Sequence, residues 1–388
     1  MKREKMSSRD RVLAALDHRT PDRVPIDLGG NQTGIHKTAY QALINHLGLT
    51  ETIAIMDPVQ QLARPSETVL TRLRVDTRYI FAGPGEGGRL RLDRSERNGR
   101  AWQDLTDEFG VVWSMPEDNP MYMDISHSPL AGLRREAMAD YPFPRGDDPA
   151  RFRGLRDQAL AIRNDTPFAV VSGISGVVYE TCWYLRGLEN WYTDMIEAPD
   201  TCAMLLDRIL KFWLDWFRVF LDEVGDVVDV IMIGDDLAGQ NGPLFSPRFY
   251  RAVVKPRQRA LAQSIRSRTS ARLWYHTCGA CREYLPDLIE NGVQVINPVQ
   301  IGAKGMEPAG LKRDFGERLC FWGGAVDSQN TLPRGTPAQV REEVRRNLAA
   351  FMPGGGYVFN NVHNIQAGVP PENVLAMYDA AWEWGGYE

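Results

Sequence analysis

Residues 227–236 read Val-Val-Asp-Val-Ile-Met-Ile-Gly-Asp-Asp, and residues 272–281 read Arg-Leu-Trp-Tyr-His-Thr-Cys-Gly-Ala-Cys. Each is a short β-branched or aromatic run that breaks into turn-forming and polar residues. Between them, Ser246 to Arg266 carries helical spacing. Strand, loop, helix, strand is the pattern of a parallel sheet. The unit recurs on both sides. Phe168–Gly173, Val293–Asn297, Leu319–Trp322 and Tyr357–Asn360 are further strands, separated by helical stretches such as Arg282–Glu290, Pro308–Phe315 and Pro337–Phe351. In the first half, Arg23–Asp27 runs into Leu-Gly-Gly, and Asp76–Phe81 runs into Ala-Gly-Pro-Gly. Eight strands with intervening helices predict an α/β fold, a (β/α)8 TIM barrel. No strand opens into Gly-x-Gly-x-x-Gly, which disfavours a doubly wound open sheet.

Residues 83–157 fit neither pattern. They are polar, with short hairpin strands expected near Leu90–Leu92 and Gly110–Trp113. We read them as an insertion after the second strand, decorating a single domain that spans residues 1–388.

Composition narrows the function classes. Hydrophobic residues make up 43% and charged residues 24%, which excludes a largely disordered chain. Lys plus Arg is 45 against 50 Asp plus Glu, so the net charge of −5 gives no broad attraction to nucleic acid or anionic membrane. The five Cys are irregularly spaced, which suits free thiols or metal ligands better than a disulfide framework. The most apolar long stretch, Ala203 to Val224, is broken by Asp207, Arg208, Lys211, Asp215, Arg218, Asp222 and Glu223, so it reads as a helix of a globular core. The opening MKREKMSSRDRVLAAL lacks an apolar signal core, and Ser7 or Ser8 is a natural helix cap. A cytoplasmic protein is expected.

In such a barrel, chemistry sits at the C-terminal strand ends. There this chain gathers His276-Thr-Cys278, Gly234-Asp235-Asp236-Leu-Ala-Gly-Gln240 and Asn360-Asn361-Val-His363-Asn-Ile-Gln366. Imidazole and thiolate together favour zinc, and a catalytic zinc takes about three protein ligands. His363 is the first choice for the third, with Glu180, Asp235 or Asp236 behind it; Cys281 lies one turn into the next helix. The other reading of His276 and Cys278 is a hydrogen-bonded core histidine and a small packed thiol. Adjacent residues of an extended chain point opposite ways, so one of Asp235 and Asp236 faces the cavity and the other caps a loop or helix. The inward one could bind substrate or metal, or act as acid or base. Asp27 to Gly34 could hold a polar substrate through backbone N–H groups. Trp183, Tyr184 and Arg186 either wall the cavity or pack in the core.

RVLAALDHRTPDRVP (residues 11–25), GDDLAGQ, HTCG, NPVQ, WGGAVDSQ and NNVHNIQAGVPPENV resemble, in order and spacing, motifs of the uroporphyrinogen decarboxylase superfamily. The likeness runs from about residue 8 to residue 384. It implies a barrel with its active site in the C-terminal cleft. The superfamily holds cofactor-free decarboxylases of the haem pathway. It also holds zinc-dependent methyltransferases that pass methyl groups between a corrinoid and a thiol or other acceptor. The decarboxylases carry an RQAGRY loop after the first strand that grips substrate carboxylates. Here that place reads Leu28-Gly-Gly-Asn-Gln-Thr-Gly34, with no Arg, so a porphyrinogen would lack its counter-charges. His276 and Cys278 match the first two zinc ligands of the methyltransferases. Their third ligand is a Cys in the last loop, where this chain has His363, as decarboxylases do.

The expectation is a zinc-dependent, corrinoid-linked methyltransferase. His276, Cys278 and His363 would bind Zn2+. Asp235, Asp236 and His363 are the catalytic candidates, and Asn31, Gln32, Glu180, Trp183, Gln240, Asn361 and Gln366 the substrate contacts. The partners implied are a small-molecule substrate and a corrinoid (cobalamin) protein, and a homodimer is allowed. The alternative is a metal-free decarboxylase of a smaller carboxylated molecule, in which His363 and one Asp handle the proton. A binding barrel without turnover is a third class, disfavoured by the polar rim.

Overall fold

Parallel strands ring a central axis, and their C-terminal ends all open on one side. In chain order they are β1 (residues 25–27), β2 (Thr77–Tyr79), β3 (Ala169–Gly173), β4 (Val230–Gly234), β5 (Arg272–His276), β6 (Val295–Asn297), β7 (Cys320–Trp322) and β8 (Tyr357–Val358). Strands β2 to β8 are hydrogen-bonded in sequential order. The ring closes through β1: Ile26 bridges Phe359 in parallel, the Asp27 N–H donates to Phe359 O, and the Asp76 N–H donates to Ile26 O. The fold is therefore a TIM barrel with the expected strands. This computed structural model describes residues 5–86 and 90–387, so the first residues of the charged N-terminus lie outside it.

The pleat sets what faces the axis. Trp274, Val295, Cys320, Trp322 and Val358 share one interior cluster, and the rings of Trp274 and Trp322 stack at 4.6 Å. Side chains two residues further along a strand point the same way. His276 follows Trp274 and Asn297 follows Val295, so both enter the layer above, at the open mouth. Below, helix α1 (Ser8–Leu16) plugs the barrel with Val12, Ala15 and Leu16. Ser7 caps it, accepting from the Asp10 N–H. Arg11 fastens it by ion pairs to Asp22 and to the fully buried Asp76.

Helices α2 (Tyr179–Arg186) and α3 (Pro199–Val224) follow β3. The apolar stripe of α3, including Leu206, Ile209, Trp213, Trp216 and Phe217, is buried. Among the described residues no helix is long and apolar enough to cross a membrane. The helix expected over 246–266 contains a π-helical stretch, Tyr250–Val254, before helix α4 (Lys255–Arg266).

The insertion holds more strand than expected. Arg91–Arg97, Arg100–Thr106, Val112–Pro116 and Asp124–His127 form a four-stranded antiparallel sheet in chain order. The first and third begin where strands were expected, near Leu90–Leu92 and Gly110–Trp113; the second and fourth were not expected.

Candidate functional site

The site is built from the ends of β4, β5, β6 and β8. His276 ends β5 and pairs in register with Gly234 on one side and Asn297 on the other. A Cβ on Gly234 would lie 2.6 Å from the His276 Cβ and 2.4 Å from its carbonyl oxygen. Glycine there leaves room for the imidazole. The chain then leaves the pleat, and Cys278 turns back so that its Sγ lies 3.5 Å from His276 Nε2. The loop after β8 brings His363 over the same point. Its ring meets that of His276 edge-on at 5.2 Å. That loop is pinned to the loop after β1: Asn364 accepts from the Gly34 N–H and donates to Asn31 O, and Ile365 bridges Ile35. One ligand atom each from His276, Cys278 and His363 lies within 4.8 Å of the others. His276 is buried, while Cys278 and His363 remain partly open to the mouth.

Both imidazoles are neutral near pH 7. Burial holds His276 at about 4, and burial with the neighbouring His276 holds His363 at about 3. Burial and the carboxylates of Asp236 and Glu180 push the Cys278 thiol well above its ordinary range. Two lone-pair donors and one thiol beside acidic groups is a donor set that fits zinc, since a cation reverses the penalty on the thiolate. Cys281 stays outside it, buried with its Sγ 4.0 Å from Met306 Sδ.

The two aspartates of the 235–236 pair divide as the pleat requires. Asp236 accepts from the Cys278 N–H at 2.7 Å and faces the site. Asp235 is fully buried and turned away. It accepts from the N–H groups of Val178, Tyr179 and Glu180 at the start of α2, and from Gln258 Nε2 on α4. Burial lifts it to about 7, against the pull of these donors. Asp235 is thus a helix cap, and its place among the catalytic candidates is corrected.

Other expected contacts sort by their partners. Glu180 reaches the site: it is buried, takes a hydrogen bond from Tyr184 Oη at 2.9 Å, and accepts from the Asp236 N–H. Trp183 packs edge-on against Tyr184 at 4.3 Å and stays partly exposed. Asn361 is buried beside His363, donating to its carbonyl and leaving Oδ1 without a partner. Asn31 sits in the loop after β1, where its carbonyl accepts from Gln60 and Asn364; Gln32, next to it, is half-buried. Gln366 donates to Tyr122 Oη at 2.9 Å. Gln240 is corrected: its amide is committed to Gly302 O and Gln300 Nε2, bracing two loops. The N–H groups of Gly29, Gly30 and Gly34 are likewise committed, to Thr33 and Asn364, so they are not a free cradle. Arg186 pairs with Asp194 and three backbone carbonyls and does not wall the cavity.

Against this geometry, residues 159–384 match the family model described as uroporphyrinogen decarboxylase (URO-D). The chain belongs to that family. Two curated uroporphyrinogen decarboxylases align over long stretches. That of Aeromonas salmonicida is 23% identical over 283 residues, 68% of this chain and 73% of that protein. That of Trichlorobacter lovleyi is 23% identical over 283 residues, 70% of this chain and 77% of that protein. A third, from Pseudoalteromonas translucida, is 26% identical over 195 residues and covers 49% of that protein. Among solved structures, a methyltransferase from Methanosarcina mazei superposes with a TM-score of 0.65 at 19% identity. That match covers 98% of this chain and 99% of the other. The barrel is thus shared end to end.

Two members of this site escaped the sequence reading. Asn297 orients His276 through a 2.7 Å hydrogen bond. Tyr184, expected either to wall the cavity or to pack in the core, holds Glu180. Tyr122, from the insertion, lies against the loop of His363 and close enough for the Cys278 charge to act on it. Asn297 sits at a strand end, which was the available signal; Tyr122 carried none.

Proposed function

We propose that this member of the uroporphyrinogen decarboxylase family is a zinc-dependent, corrinoid-linked methyltransferase, moving a methyl group between a small substrate and a cobalamin or thiol acceptor. The observation that carries the reading is the convergence of His276, Cys278 and His363. About three protein ligands with one position left open is the pattern of a catalytic rather than a structural zinc. The chemistry zinc supplies in such a site is Lewis acidity, which lowers the pKa of a coordinated thiol or hydroxyl and polarises a methoxy oxygen. The chain's own residues do the rest. Asn297 fixes the His276 tautomer. Asp236 holds the Cys278 backbone in place. Glu180 and Tyr184 line the mouth. The likeness to a methyltransferase fold agrees with this but is too low in identity to carry it.

The test is metal analysis of carefully prepared protein. About one equivalent of zinc is expected, falling sharply in His276→Ala and Cys278→Ala. Zinc-free protein, with His276→Ala still active, would end the reading.

A second reading is a metal-free decarboxylase, favoured by the names of the curated relatives and by the Asp236 charge, which acts on His363. Carbon dioxide release without metal or corrinoid would select it. Against it stands the first loop, Leu28 to Gly34, which offers no Arg to a carboxylated substrate.

A further inference from the structure

The mouth beside the metal-capable cluster has a definite electrical character. Glu180 and Asp236 sit together, joined by the Asp236 N–H. Burial, with the carboxylates of Asp236 and Asp235, pushes the Glu180 carboxyl well above its ordinary range. Asp236 in turn accepts from the Cys278 N–H at 2.7 Å. Among the described residues no Lys or Arg forms a hydrogen-bonded ion pair with Glu180, whose side-chain partner is Tyr184. The Arg of the same helix, Arg186, is occupied by Asp194 and backbone carbonyls. Buried carboxylates without a cation are costly unless something charged arrives.

Aromatic rings stand beside this acid pair. Tyr184 hydrogen-bonds Glu180 through its hydroxyl. Its ring meets Trp183 at 4.3 Å and Trp113, from the insertion sheet, at 5.1 Å, both edge-to-face. Trp183 and Trp113 are each only partly buried. A further acceptor waits in the loop of His363, where Asn361 is 1% exposed and its Oδ1 has no hydrogen-bond partner. Acceptors, carboxylates and ring faces all favour positive charge.

We propose that the mouth binds a small methylated ammonium ion, with Glu180 as its counter-charge and Trp183, Tyr184 and Trp113 as its aromatic wall. This deepens the methyl-transfer reading by naming the substrate class. Cations over aromatic faces are attracted by the ring quadrupole, most strongly for Trp and where water is excluded. An anion would face the carboxylates of Glu180 and Asp236 and could be drawn only to the zinc position itself. A neutral molecule of the same shape would gain the burial but neither the ring nor the carboxylate attraction.

The test is a tryptophan-fluorescence titration of the full chain, with zinc present, using choline, its uncharged isostere 3,3-dimethylbutan-1-ol, and the anion isovalerate. Choline should bind about tenfold or more tighter than the isostere, the factor that about 1.4 kcal/mol of cation attraction yields. Isovalerate should not bind once zinc is removed with a chelator, and with zinc present it should bind more weakly than choline. Glu180→Gln should bring choline and the isostere close to parity, and Trp183→Leu should weaken choline most. Equal binding of choline and the isostere by the wild-type protein, or preference for the anion, would overturn the proposal, and that comparison needs no variant to fold. Zinc content is measured on the same samples. Loss of zinc with choline selectivity intact would count against methyl transfer alone. Retained zinc without selectivity would count against the ammonium ion alone.

Discussion

Asn297 decides which nitrogen of His276 is free. The Asn297 side chain donates through Nδ2 to Trp322 O at 2.9 Å, which only an amide nitrogen can do. Its Oδ1 therefore faces His276 Nδ1, at 2.7 Å, and accepts its proton. Nε2 is left with a lone pair, pointing toward Cys278 Sγ. Groups that orient a ligating imidazole this way typically contribute about 10–100-fold to metal affinity. Asn297→Ala should weaken zinc binding by about that factor, measured by competition with a chromogenic chelator. Unchanged affinity would mean that His276 is not a ligand or needs no orienting partner.

The same burial predicts a pH dependence for metal-free protein. Folded His276 titrates at about 4 and folded His363 at about 3, against about 6.5 for an unfolded histidine. As pH falls below about 6.5, the unfolded chain takes up protons that the folded chain refuses. The histidines' contribution to stability falls through that window, levelling off only once the folded values are reached, while Asp235, lifted to about 7, contributes in the opposite sense. Comparison isolates the histidine part: between about pH 7 and pH 4.5 the urea midpoint of chelator-treated His363→Gln should fall less, or rise more, than that of wild type, since one of the two histidines no longer contributes. Parallel slopes would show that His363 is not held neutral.

Asp235 and Asp236 should separate cleanly by experiment. Removing Asp235 leaves the N–H groups of Tyr179 and Glu180, and Gln258 Nε2, short of an acceptor in the interior. Asp235→Ala should cost about 1–3 kcal/mol of stability for the groups left unpaired. Asp236→Asn keeps an acceptor for the Cys278 N–H. It should change stability little and alter zinc affinity instead. Denaturant melts and chelator competition on both variants check this; a reversed pattern would return Asp235 to the site.

These pairs show what was legible in the sequence. The seven hydrogen-bonded barrel strands, and the bridged segment at Ile26 that closes the ring, were readable, because short β-branched or apolar runs there break into turn residues. His276 and Cys278 were readable as a pair because they stand two residues apart where β5 breaks into turn residues. Alternation along the strand foretold that Asp235 and Asp236 would face apart, but its parity could not say which was which. Gln240 looked available because a rim glutamine has no visible partner until Gln300 and Gly302 fold beside it. Tyr122 was hidden for a different reason. Its segment belongs to an insertion in which Leu105, Met115 and Met123 are buried in a small cluster of their own, so nothing in its pattern points to the barrel mouth.

Tyr122 offers a test of whether the insertion shields the site. Its hydroxyl accepts from Gln366 Nε2, and its ring approaches His36 edge-on at 6.4 Å. Four of the five thiols, Cys182, Cys202, Cys281 and Cys320, are buried, and only Cys278 is partly open. A thiol reagent should therefore label metal-free native protein at Cys278 first. Tyr122→Ala removes the ring over the loop of His363 and should speed that labelling. Tyr122→Phe keeps the ring, loses a hydrogen bond worth about 0.5–1.5 kcal/mol, and should label close to wild type. Added zinc should slow labelling in all three, because a coordinated thiolate is a poorer nucleophile than a free one. Equal rates for Tyr122→Ala and wild type would mean that the insertion leaves the mouth open. The aromatic wall, which Trp113 of the same sheet completes, would then have to hold its ligand without a roof.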